Sequence, residues 1–179
     1  RPSTDDTAES SIDDAFTIRP ARLMRELRSV LDDDDIVISD VGVHKLWLAT
    51  HFPAARPNTV VIPNGLASMG LSVPGAVAAK LIHPTRKVVA VTGDGGFMMN
   101  SQELETAKRV GTAFVVVVLV DERYGIIEIN QKRRFGRTFG VSFQNPDFVA
   151  YAASFGLPGF AVKGAGELQP TLRRALELD

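Results

Sequence analysis

A chain of 179 residues falls in the size range of one domain, and 45% hydrophobic content is enough for a full core. A formal net charge of −1 gives no electrostatic reason to bind nucleic acid or an anionic membrane surface. The absence of cysteine removes disulfides, thiolate metal ligands and thiol nucleophiles together, and fits a cytoplasmic location.

Arg1 to Asp14 (RPSTDDTAESSIDD) is polar, acidic and without an apolar period. It resembles neither a signal peptide nor a membrane span, and residues 1–16 are read as a linker or disordered lead-in to a domain covering 17–179. Thr17 to Leu31 predicts a helix with Pro20 in its first turn and Leu23, Leu27 and Val30 on one face. The four acids Asp32 to Asp35 read as a solvated turn. Ile36 to Ser39 is a short strand ending in Asp40-Val41-Gly42, and a helix around Lys45 to Thr50 follows. Val60 to Ile62 is another strand, and Gly70 to Leu81 an Ala-rich helix that tolerates Pro74 in its first turn.

Lys87 to Thr92 (KVVAVT) reads as a buried strand and Ser101 to Val110 as a helix with Leu104 and Ala107 inward. Phe114 to Val120 (FVVVVLV) is unalternating and β-branched, as in a parallel strand covered on both faces. Helices over 146–155 and 167–178 flank a last strand, Gly159 to Val162. Strand and helix take turns throughout, so the fold class is α/β, a mainly parallel sheet sandwiched by helices. The chain stops after a helix with no strand to follow, and is expected to be a fragment of a longer one.

Ligands of open parallel sheets bind beyond the carboxyl ends of the strands. Gly93-Asp94-Gly95-Gly96 follows one strand as a turn, where glycine lets backbone N–H groups approach an anion. A carboxylate there repels phosphate unless a cation lies between, so Asp94 suggests a metal-bridged phosphate; a plain strand-to-helix turn is the alternative. Asp121-Glu122-Arg123-Tyr124-Gly125 follows the Val-rich strand, and adjacent parallel strands bring Asp94 and Asp121 to one edge. Magnesium takes six oxygens, usually including water and ligand phosphate, and two carboxylates with one loop carbonyl suit that shell.

GDGGFMMNSQELETAKR followed by VVVVLVDERYGII resembles the signature of thiamine-diphosphate enzymes, with Asp121 standing 27 positions after Asp94. SDVGVHKLWLA, PNGLASMGLSVPGA and RTFGVSFQNPDFVAYAASFG extend the likeness to the pyrophosphate-binding domain of acetolactate synthases, from about Ile18 onward. The family's usual second metal ligand is Asn. Asp121 in its place, with Val120 before it, is similar to the catabolic, FAD-independent type.

The resemblance implies thiamine diphosphate and magnesium as cofactors. It assigns side-chain oxygens of Asp94 and Asp121 and the main-chain carbonyl of Arg123 to the metal. It gives backbone of Gly95 and Gly96, with His44, Tyr124, Gly125 and Ile126, to the diphosphate end. In the segment Asn64 to Gly70, Ala67, Ser68 and Met69 face the cofactor. Met69 is the wedge that enforces a bent cofactor, and the Ala67 carbonyl accepts from its 4′-amino group. Methionine, flexible and polarizable, suits a wedge. The extra charge of Asp121 calls for compensating cations, with His44 and Lys45 as candidates.

The activity implied is acetolactate synthesis from two molecules of pyruvate, a small 2-oxo acid. The activating glutamate belongs to a pyrimidine-binding domain of the same or a second subunit, so a homo-oligomer is expected and the chain alone should be inactive. Another 2-oxo acid decarboxylase or carboligase and a non-catalytic cofactor-binding module remain alternatives. A nucleotide-binding domain of the Rossmann type lacks its G-x-G-x-x-G opening a first helix. Glu103 and Glu105 read as solvated or capping residues, and Gln131 to Arg134 (QKRR) as a solvated face. Trp47, His51 and His83 have no assigned partners.

Overall fold

A computed structural model describes residues 18–178, and the expected lead-in at 1–16 lies outside them. The described residues form thirteen short elements, with strand and helix alternating as expected up to the third strand. They are α1 (Pro20–Ser29), β1 (Ile36–Ser39), α2 (Val43–His51), β2 (Val60–Val61), α3 (Ser72–Ile82), β3 (Val88–Gly93), α4 (Asp94–Asn100), α5 (Glu103–Val110), β4 (Val115–Leu119), α6 (Gly125–Phe135), α7 (Phe148–Ser154), a 3-10 turn (Ala165–Glu167) and α8 (Leu168–Leu176). The four strands form one parallel sheet in the order β2-β1-β3-β4.

The side-chain period of two divides the core between the sheet's faces. Val37, Val89 and Val91 pack with Leu23, Met24 and Leu27 of α1 and Leu168, Leu172 and Leu176 of α8. Their neighbours Ile36, Ile38, Val88 and Ala90 pack on the other side with Ala76 of α3. Helices on both faces explain why β1 and β3 are apolar throughout rather than alternating. Each such Val or Leu, once buried, contributes on the order of 1.5–3 kcal/mol.

Asp35, the last of the four acids, is not solvated. It is 4% exposed, and its carboxylate accepts from Lys87 N (3.0 Å) and Asp32 N (2.7 Å), tying the start of β1 to that of β3. Asp32 and Asp34 stay at the surface, facing Lys87 and Arg86.

Three further expectations are corrected. Among the described residues Gly159 to Val162 pairs with no strand, although Val162 packs against the core. β4 is therefore the sheet's rim, and its five residues are half-buried instead of fully covered. Its register with β3 runs from Val89↔Val115 to Gly93↔Leu119. Gly93 to Gly96 is not a turn before a later helix, because α4 begins at Asp94 itself. Residues 125–135, where the sequence suggests cofactor contacts at Gly125 and Ile126 and a solvated face at Gln131 to Arg134 but no helix, form α6.

Candidate functional site

The strand order places β1 and β3 side by side while their successors depart in opposite directions, β2 to one side and β4 to the other. Such a switch point opens a crevice at the strands' carboxyl ends. A cavity of about 1150 Å³ lies there, continuing along β4. Its walls include Gly42, Val43 and His44 after β1, Gly93 to Gly96 after β3, and Asp121, Arg123, Tyr124, Gly125 and Ile126 after β4. Ala67 and Met69 face it from the loop before α3. The segments expected to share a site therefore border one space. Ser68 is exposed and is not among the lining residues.

At the end of β1, Gly42 makes room for the His44 ring, which a Cβ at position 42 would meet at 2.4 Å. His44 is 4% exposed, and among the described residues its Nε2 has no hydrogen-bond partner. Burial pushes its pKa below the ordinary value, against the raising pull of the nearby Asp40 carboxylate. The buried ring is thus favoured in its neutral form, and it is no ready counter-charge for Asp121. Lys45 is no better placed. Its Nζ reaches toward the Pro63 carbonyl at 3.4 Å, and it does not line the cavity.

Asp94 opens α4 at 1% exposure. Its Oδ1 accepts from Gly95 N (2.8 Å), and its Oδ2 from Asp121 N (3.1 Å), Glu122 N (2.7 Å) and Asn145 Nδ2 (2.7 Å). The first carboxylate therefore fixes the loop that carries the second. Glu122 takes a left-handed φ of 57°, a rare conformation for a non-glycine residue, and so directs its N–H at Asp94. Asn145 was not legible as a site residue, because nothing local marks a loop asparagine 51 positions from Asp94. Its Oδ1 is buried without a partner among the described residues.

Burial first, and the facing Asp94 charge second, hold the Asp121 carboxyl above its usual range, with Arg123 pulling the other way. Two carboxylates at one rim suit an intervening cation. Among the described residues no three His, Cys, Asp or Glu side chains cluster to hold a metal, so a cation here needs main-chain and ligand oxygens as well. Arg123 turns its guanidinium back to the Asp121 carbonyl (3.0 Å) and toward Glu128 (3.5 Å). Tyr124 anchors the turn through its N–H to Val141 O (2.9 Å) and its ring on Phe143 (4.8 Å between centroids). Gly125 then starts α6, whose first turn borders the cavity.

A raised acid pKa has a definite sign. Ionised Asp121 destabilises the ligand-free fold at neutral pH, and the effect disappears as pH falls below the unfolded value. Asp121→Asn should therefore raise the ligand-free melting temperature at pH 7 and change little at pH 3. In the same variant magnesium affinity should fall, read by calorimetry. A variant melting below the wild type at pH 7 would count against the charge argument.

Most of the remaining candidates fall elsewhere. Glu105 pairs with Arg109 on the surface of α5, and neither Glu103 nor Glu105 lines the cavity. Gln131 holds the Phe139 backbone through both side-chain atoms, and Lys132 pairs with Glu128. Trp47 borders the cavity, while His51 stays exposed on α2 and His83 caps α3.

Fold and site together define a class, a parallel α/β domain with a crevice at its switch point bordered by Asp94 and Asp121. Residues 40–179 match the family described as thiamine pyrophosphate enzyme, C-terminal TPP binding domain. The chain belongs to this family. It is 39% identical over 164 residues to the catabolic acetolactate synthase of Raoultella terrigena, covering 92% of this chain and 29% of that protein. It is 38% identical over 160 residues to an acetolactate synthase of Bacillus subtilis (strain 168), covering 89% and 28%. A putative thiamine pyrophosphate-containing protein of the same organism is 36% identical over 162 residues, 90% of this chain and 28% of its own. The chain thus spans less than a third of the curated relatives it matches. None of its described helices is long and apolar enough to cross a membrane.

Proposed function

We propose that this chain is the diphosphate- and magnesium-binding part of an acetolactate synthase that joins two pyruvates into 2-acetolactate with loss of carbon dioxide. The observation that carries this reading is the convergence of Asp94 and Asp121 on one cavity at the carboxyl ends of adjacent strands. The identities to acetolactate synthases support the choice of reaction.

The donor set fits a hard divalent cation, being oxygen without sulfur or imidazole. Asp94 and Asp121 would bind magnesium through carboxylate oxygens, and Arg123 through its carbonyl. The backbone of Gly95 and Gly96 and the first turn of α6 at Tyr124, Gly125 and Ile126 would hold the diphosphate, with His44 beneath. From the facing loop, Met69 would press on the bound cofactor and the Ala67 carbonyl would accept a hydrogen bond from its amino group, with Ser68 at the loop's exposed edge. Thiamine diphosphate, when bound, supplies the electron sink for decarboxylation of a 2-oxo acid. The protein's part is to anchor, bend and shield it.

This half requires a pyrimidine-binding domain of the same or a second subunit, in a cytoplasmic homo-oligomer. Calorimetry on the purified chain should show thiamine diphosphate binding that depends on magnesium, and no heat with NAD. Pyruvate added to the same preparation should yield neither acetolactate nor carbon dioxide. Turnover by the chain alone would refute the division of labour, and binding of NAD in preference would refute the cofactor.

A further inference from the structure

Asp40, at the end of β1, is 0% exposed and holds neither diphosphate nor cation in the reading above. We propose that Asp40 is a positioning residue that fixes the cavity wall carrying Ala67 and Met69 against the Gly93 to Gly96 cradle. The ligand's identity rests on the proposed function, while the clamp itself does not.

The clamp has two jaws. Asp40 Oδ1 accepts from Gly70 N (2.8 Å) and Val41 N (2.7 Å), and Oδ2 accepts from Ser72 N (3.0 Å). On the other side, Asn100 Nδ2 donates to the Gly70 carbonyl at 2.9 Å. Gly70 is thus held from β1 and from α4 at once, 30 positions from each partner. Its φ of +85° favours glycine, and a Cβ there would meet Asn100 Nδ2 at 2.7 Å and Met99 Cβ at 3.0 Å.

Two observations tie the clamp to the cavity. Ala67 has φ 50°, a conformation alanine holds only where its surroundings impose it, and both Ala67 and Met69 border the cavity. The same Asp40 Oδ1 lies 3.0 Å from where a Gly96 Cβ would be, so one oxygen spaces the wall from the cradle. A carboxylate is needed because it only accepts. Asparagine offers one oxygen and turns an NH₂ toward the N–H of Gly70 or Ser72.

The test uses the 179-residue chain, Asp40→Asn and Asn100→Ala, with two readouts. Without ligand, amide hydrogen exchange at Gly70 and Ser72 should quicken by about tenfold or more in Asp40→Asn, with β3 amides unchanged. By calorimetry with magnesium, thiamine diphosphate affinity should fall about tenfold in Asp40→Asn, and about threefold in Asn100→Ala, consistent with loss of one hydrogen bond. Inorganic pyrophosphate, which needs the cradle but not the wall, should keep its affinity within about twofold in both, since no phosphate contact is removed. Unchanged exchange at Gly70 and Ser72, or equal losses for both ligands, overturns the proposal. If Asp40→Asn fails to fold, Asn100→Ala decides by the same split between the two ligands. A wild-type chain that binds neither ligand refutes the proposed function, and the exchange data still judge the clamp.

Discussion

Asp94→Ala is expected to abolish magnesium-dependent thiamine diphosphate binding and to lower stability in the same protein. Four donors converge on this carboxylate, three from the main chain and one from Asn145. Removing a shared buried acceptor costs about 1–3 kcal/mol for each donor left unsatisfied, reduced wherever water enters. A loss of about 3 kcal/mol in total is therefore the expected scale, measured by urea denaturation. Asp94→Asn separates the two effects. It keeps the shape and one acceptor, so part of the stability should return. Magnesium binding should not, because the amide lacks the charge. Full cofactor affinity in Asp94→Asn would remove Asp94 from the cation site.

The second large effect belongs to Gly95→Ala. Inside a helix this exchange ordinarily gains up to about 1 kcal/mol. Here the new methyl would meet Tyr124 Cε1 at 2.7 Å and Phe143 Cζ at 3.2 Å. The two rings already pack on each other, so Tyr124 cannot yield without shifting the backbone of the Arg123 to Gly125 turn. Overpacking of this kind costs about 1–3 kcal/mol. The expected result is a lower melting temperature and at least about a tenfold loss of thiamine diphosphate affinity, given the dependence on close placement. Gly111→Ala is the control, since among the described residues nothing lies within 4 Å of its Cβ position. Its left-handed φ of 69° should cost stability alone, with binding retained.

What could be read from the residues was what neighbours in sequence determine. KVVAVT and FVVVVLV announce strands by their β-branched content, and two strands adjacent in a parallel sheet bring Asp94 and Asp121 together. α4 was hidden because Gly95 and Gly96 are poor helix formers, held in a helix by the packing around Asp94. α6 was hidden because it has no buried residue, and so no apolar period to detect. Gly159 to Val162 has a strand's composition, yet a strand needs a partner, and composition does not supply one. Asp40 and Asn145 escaped for a different reason. A strand-end aspartate and an asparagine before proline read as turn residues, and only distant contacts with Gly70, Ser72 and Asp94 give them a site role.

The open rim at β4 carries a consequence for handling this protein. Among the described residues, β4 has a ladder partner on one side only, so Val115 to Leu119 present unmatched amides and carbonyls beside apolar flanks. Such an edge is a template for self-association through intermolecular strands. It also forms part of the same hollow that meets the ligand. A strand added at this edge would therefore lie against the wall of the cavity.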